Sequence, residues 1–150
     1  MSWSVVAKHY LMESLGNLLW VRRFISSHVD DMANMVYDEE VEFPHRTYGF
    51  DVYRLDFARN TWEYTKCVGD QVLFLGINQS LSLPAREVPG FKANNIYFTD
   101  DSRSIHYGSY RYGGYDLGRY DLGRVTTTSD FSHDYEKVLP PHIWVMPKLK

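Results

Sequence analysis

The sequence predicts an all-β, antiparallel fold built from short hairpins. Three observations point there. Aromatic residues make up 16% of the 150 residues, with 12 Tyr, 8 Phe and 4 Trp, and such side chains suit a pleated, half-buried surface. Several segments alternate apolar and polar residues at period two, as strands with one buried face do. No segment sustains the 3.6-residue apolar period of a helix.

The first hairpin occupies the stretch from Val5 to Ile25. Residues 10–14 read as a strand and residues 18–25 as its return. Leu15-Gly16-Asn17 reads as the turn, because Gly and Asn tolerate the positive φ of tight hairpins. Residues 26–47 break the pattern. Asp30, Asp31, Asp38, Glu39, Glu40 and Glu42 make this stretch acidic, which predicts a long solvated loop, with a short helix over 29–37 as the alternative. Residues 49–57 alternate, Ala58-Arg59-Asn60 turns the chain, and residues 61–68 alternate again. The unbroken apolar run at 72–76 predicts a strand buried on both faces. A turn at Gly76-Ile77-Asn78 leads to a strand at 79–83, and Pro84, Pro89 and Gly90 punctuate a loop. Residues 95–99 form a strand stopped by Asp100-Asp101. Residues 102–114 are rich in Tyr, Ser, Arg and Gly and read as a second long loop. Residues 119–125 return to strand, and 143–146 close the chain.

This gives roughly eight evenly spaced short strands, which fits a sandwich, a barrel or a β-propeller. Four strands make one propeller blade, so eight make about two. Tyr115-Asp116-Leu117-Gly118-Arg119 is repeated at once as Tyr120-Asp121-Leu122-Gly123-Arg124. A period of five is too short for a structural repeat. It reads as a local duplication, or as one copy serving the loop and the other the strand.

The 16 basic and 19 acidic side chains leave a net charge of −3, which disfavours a phosphate-tracking, nucleic-acid-binding surface. Cys67 is the single cysteine, so no internal disulfide forms, as a reducing compartment would produce. The first residues lack a basic region followed by an apolar run, and no stretch reaches the roughly 20 apolar residues of a membrane helix. The expectation is one domain over 1–150, intracellular (cytoplasmic or nuclear), with no membrane partner.

The residues offer little chemistry. His9, His28, His45, His106, His133 and His142 show no metal-ligand spacing, and no metal or cofactor is expected. Gly113-Gly114 and Gly118 do not sit between a strand and a helix, so no phosphate cradle appears. Cys67 reads as a structural thiol. Asp100 and Asp101 would point to opposite faces of a strand and are expected to bond turn backbone rather than form a catalytic pair. Asn78-Gln79-Ser80 matches a glycosylation acceptor, but without a secretory signal Asn78 reads as a turn former. Trp20, Trp62 and Trp144 read as core or inter-blade packing. No enzyme is expected. The candidate contact is the Tyr107, Tyr110, Arg111, Tyr112 set, since Tyr and Arg on a loop supply large rigid contact area with polar handles. The same residues could stack single-stranded bases.

The order of motifs resembles one known family. Tyr10-Leu11-Met12-Glu13-Ser14, Leu18-Leu19-Trp20-Val21-Arg22-Arg23-Phe24 and Phe50-Asp51-Val52-Tyr53-Arg54-Leu55-Asp56-Phe57 come first. Trp62, Val68-Gly69-Asp70-Gln71-Val72-Leu73-Phe74-Leu75-Gly76, Ser80-Leu81-Ser82-Leu83-Pro84-Ala85 and Pro89-Gly90-Phe91-Lys92 follow. Ile96-Tyr97-Phe98-Thr99-Asp100-Asp101, Asp116-Leu117-Gly118-Arg119-Tyr120-Asp121-Leu122 and Ile143-Trp144-Val145-Met146-Pro147 complete the series. Together they resemble the plant F-box-associated KIB-type β-propeller domain. The resemblance implies about two four-stranded blades from the C-terminal part of the ring. It also implies a non-catalytic module akin to the substrate-recognition propeller of F-box ubiquitin-ligase subunits, with a protein target. No helical F-box reads before Tyr10, so a Skp-type adaptor is not an expected partner. The alternatives are a truncated relic that self-associates through open sheet edges and a single-stranded nucleic-acid binder.

Overall fold

The computed structural model describes residues 2–29, 45–76, 79–100, 105–107, 110–112 and 116–129. The first sheet is a meander of β1 (Ser2–Ser14), β2 (Asn17–Val29), β3 (His45–Asp56) and β4 (Thr61–Thr65), in that spatial order. The second sheet contains β5 (Gln71–Leu75), β6 (Ser80–Pro84), β7 (Asn95–Phe98), β10 (Gly118–Asp121) and β11 (Thr126–Ser129), in the order β11-β10-β7-β5-β6. A 3-10 turn (Ala85–Glu87) follows β6. β8 (Ile105–Tyr107) and β9 (Tyr110–Tyr112) form a separate antiparallel hairpin.

The fold is all-β, as the periodicity implies, and differs from the sequence reading in five places, the first being that β1 already starts at Ser2 rather than at residue 10. β2 runs on to Val29 and β3 starts at His45, so both strands enter the stretch expected as a loop over 26–47. The stretch 102–114 contains β8 and β9. The chain turns at 122–125, and β11 extends the sheet beyond it. Finally, β5 and β7 pair in parallel, whereas the other described pairings are antiparallel. The reason is topological. β6 occupies one edge of β5, so the chain crosses back through residues 85–94 and lays β7 along the other edge in the same direction. The acidic stretch 30–44, Asn78, Asp101, Tyr115 and the strand expected at 143–146 lie outside the described residues.

The β1–β2 turn is a two-residue loop. Leu15 has φ 51 and Gly16 φ 77, the pair of positive angles that matches strand twist in the tightest hairpins. Asn17 already belongs to β2. β3 carries a bulge: Phe24 pairs with Gly49 and Ile25 with Thr47, leaving Tyr48 as the extra residue. The bulge switches the alternation. His45 and Thr47 on one side of it, and Phe50 and Val52 on the other, are therefore all buried.

The two sheets pack face to face. Met12, Leu19, Val21, Phe50 and Val52 from the first meet Leu73, Leu75, Ile96, Phe98 and Tyr120 from the second in one core. The Phe50 ring lies 5.3 Å from Phe98 and 5.5 Å from Tyr120, the separation aromatic pairs favour. β5 is buried on both faces, as its apolar run predicts. On its outer side Phe74 packs at 5.1 Å from Phe91 and 5.9 Å from Tyr97.

Candidate protein-interaction surface

Strand alternation sends Leu19, Val21, Arg23 and Ile25 inward and Trp20, Arg22 and Phe24 outward. Register then assembles the outer face. Trp20 lies opposite Tyr53, Tyr53 opposite Tyr64, and Leu55 opposite Trp62. Trp20 stands 5.0 Å from the Tyr53 ring and 5.7 Å from Trp62, and Tyr53 stands 5.7 Å from Tyr64. Trp20 Nε1 donates to His9 Nδ1 at 3.0 Å. The Arg22 guanidinium lies over Trp20, Phe24 and Tyr53 at 5.6, 5.1 and 5.5 Å, and its Nη2 donates to Asp51 Oδ2 at 3.1 Å. Leu11 is 64% exposed, Tyr64 52% and Trp62 37%. At the bulge the face deepens into a groove of about 290 Å³ between Tyr48, Asp51, Tyr120 and Val125. Tryptophan, tyrosine and arginine clustered this way are the residues that dominate protein interfaces.

A buried polar joint holds this face in place from behind. Arg23 is fully buried. Its Nε donates to Thr47 Oγ1 at 2.7 Å, its Nη1 to the Thr99 carbonyl at 2.8 Å and its Nη2 to Asp116 Oδ2 at 3.2 Å. Its guanidinium stacks over Phe98 at 4.9 Å. Asp116 also accepts from Thr47 N at 2.9 Å and from Thr47 Oγ1 at 2.6 Å. His45 Nε2 meets Asp100 Oδ2 at 2.9 Å, and that oxygen also accepts from Asp116 N at 3.2 Å. Asp100 thus bonds backbone and histidine in the interior. With His45, Thr47, Asp100 and Asp116 all at most 2% exposed, the joint is shielded from solvent and links the two sheets.

A scan of family models places residues 4–121 in the KIB1-4 β-propeller. The chain belongs to the KIB1-4 β-propeller family. Relatives include the F-box protein At2g17690 of Arabidopsis thaliana, 33% identical over 78 residues, which are 52% of this chain and 18% of that protein. The putative F-box/kelch-repeat protein At5g24040 of Arabidopsis thaliana is 39% identical over 51 residues, 34% of this chain and 14% of that protein. The match therefore spans less than a fifth of these relatives' own length. No solved structure matches. The chain thus shares its β-propeller family with a region of proteins named F-box proteins.

Within this KIB1-4 domain, Trp20 and Trp62 meet edge to face on the outer face of the first sheet rather than in the core. The sequence-selected Tyr107, Tyr110, Arg111 and Tyr112 fall on one hairpin, where Tyr107 pairs with Tyr110, His106 with Arg111 and Ile105 with Tyr112. Cys67 is exposed in the loop after β4, and its sulfur accepts from Gly69 N at 3.3 Å. Among the described residues no group of three His, Cys, Asp or Glu side chains is placed to hold a metal ion, and no helix is long and apolar enough to cross a membrane. The outer aromatic face was readable as alternation in β2 and β3; what the sequence hid was its registration across β4.

Proposed function

We propose that this chain is a non-catalytic protein-recognition module and that the outer face of its first sheet is the contact surface. The exposed Trp20–Tyr53–Trp62–Tyr64 cluster with Arg22 across it carries the reading. The β8–β9 hairpin, with Tyr107, Tyr110, Arg111 and Tyr112, is proposed as a second contact for the same target. By kinship with F-box proteins, the target would be a protein presented for ubiquitin transfer. Capture from plant extract, compared between the wild-type chain and a Trp62→Ala/Tyr64→Ala variant, tests this. A partner recovered by the first and lost by the second supports the face. Equal recovery, with both chains folded by circular dichroism, refutes it.

The length of the relatives favours a second reading, in which this face is a joint against a neighbouring blade. On that reading the isolated chain self-associates through it. Sedimentation then shows an oligomer that Trp62→Ala/Tyr64→Ala dissociates, whereas the recognition reading requires a monomer.

A further inference from the structure

The second sheet turns a different surface outward. Ile96 and Tyr120 point into the core, so their neighbours Asn95, Arg119 and Asp121 face away from it. With Lys92, Arg124, Thr126 and Thr128 they line a polar cleft of about 340 Å³. Three cations and one carboxylate leave this cleft two positive charges in excess. None of Lys92, Arg119 and Arg124 has a carboxylate partner among the described residues. Asp121 is partly spent on the backbone, since its Oδ1 accepts from Arg124 N at 2.9 Å. Cations in a protein surface ordinarily find counter-charges or spread apart; three sharing one concavity, beside two threonine hydroxyls, form the donor set of an anion site.

A second observation comes from the lining. Asn95 is only 3% exposed, and its Oδ1 has no hydrogen-bond partner, although its Nδ2 donates to the Ala93 carbonyl at 2.9 Å. Buried acceptors are nearly always satisfied. An unsatisfied one in a cation-lined cleft suits a ligand that brings an anionic group and an N–H donor together. Beside the cleft, the Phe91 ring is 36% exposed and packs at 4.8 Å against Tyr97, and Tyr97 pairs with Arg119 across the strands. An aromatic shelf therefore adjoins the charged cleft.

We infer that this cleft binds a phosphorylated side chain of a partner polypeptide. The phosphate, which carries about −1.5 to −2 charges at neutral pH, would match the excess of two, a main-chain N–H would meet Asn95, and an adjacent apolar residue would rest on Phe91. The site shares no lining residue with the aromatic face of the first sheet or its groove and does not depend on them.

The test titrates the full chain with a phosphoserine peptide carrying a leucine next to the phosphoserine, with its unphosphorylated twin, and with inorganic phosphate, followed by amide NMR shifts. Saturable shifts at Ala93, Asn95, Arg124 and Thr126 are expected with the phosphopeptide, weakening as salt rises, with much weaker binding of the other two probes. Arg124→Ala, in an exposed turn, is expected to weaken phosphopeptide binding about tenfold, the effect of losing one charge-assisted hydrogen bond, while Arg124→Lys retains more of it. Lys92→Ala/Arg119→Ala/Arg124→Ala should abolish it; if that variant does not fold, the single substitution decides. Equal binding of both peptides, binding of inorganic phosphate as tight as that of the phosphopeptide, or an unaltered affinity in Arg124→Ala overturns the inference.

Discussion

Asp116→Asn is the sharpest test of how the two sheets are joined. Asparagine keeps the shape and one carbonyl oxygen, so the Thr47 N–H, 2.9 Å away, still finds an acceptor. What disappears is the charge facing Arg23, whose side chain is fully buried. Removing one partner of a buried ion pair typically costs about 3–5 kcal/mol. Arg23 would keep the Thr99 carbonyl, the Thr47 hydroxyl and the Phe98 ring, which places the loss near the lower end, at about 3 kcal/mol. Against a typical total of about 5–15 kcal/mol, that is a large fraction. Urea unfolding followed by tryptophan fluorescence reads it as a lower midpoint at unchanged slope. Arg23→Met/Asp116→Asn, which removes both charges, should recover part of the loss. A single variant within about 1 kcal/mol of the wild type, the size of an ordinary substitution, would refute the view that this ion pair ties the sheets.

Two further outcomes follow from local geometry. Leu15 sits at φ 51 and is 71% exposed, so Leu15→Asn, which tolerates that angle, should raise stability by about 1 kcal/mol; a lower denaturation midpoint contradicts this. Burial lifts the Tyr120 phenol above its ordinary 10.0, helped by Tyr64, Asp51 and Asp121. The folded state then holds that proton longer than the unfolded chain, so its contribution is complete below pH 10 and is lost as pH rises through the raised folded value. Tyr120→Phe removes this part of the alkaline decline, a slope difference of at most about 1.4 kcal/mol per pH unit; identical pH slopes above 10 in the two proteins would show that Tyr120 is not responsible.

The hairpins were legible because alternation is a local property: each strand announces its own buried face. The pairings that cross the chain were not. Nothing in the β5 run reveals that β7 returns parallel to it, since that depends on which edge β6 leaves open. The bulge at Tyr48 was hidden for the same reason, as an extra residue is defined only against its partner strand. Within the strand read over 18–25 nothing singled Arg23 out, yet it keeps step with Leu19, Val21 and Ile25 on the buried face. That phase was the available signal. It was outweighed by the ordinary rule that arginine stays at the surface unless paired, and the pairing lies with Asp116, 93 residues away.

That distance also says how the domain holds together. The apolar core alone would let two β sheets slide, because hydrophobic contact is non-directional. Arg23 on β2 reaches the Thr99 carbonyl just after β7 and Asp116 just before β10, while Thr47, brought inward by the bulge, closes the set from β3. These directional bonds fix the two sheets in one registration. They sit directly behind Arg22 and Trp20, the outward neighbours of Val21 and Arg23 on the same strand. A loosened joint would therefore disturb the aromatic face, whereas substitutions at Trp62 or Tyr64 on the exposed edge strand leave the joint intact. Hydrogen exchange separates the two cases: Asp116→Asn should speed exchange in both sheets together, and Trp62→Ala/Tyr64→Ala only in β3 and β4.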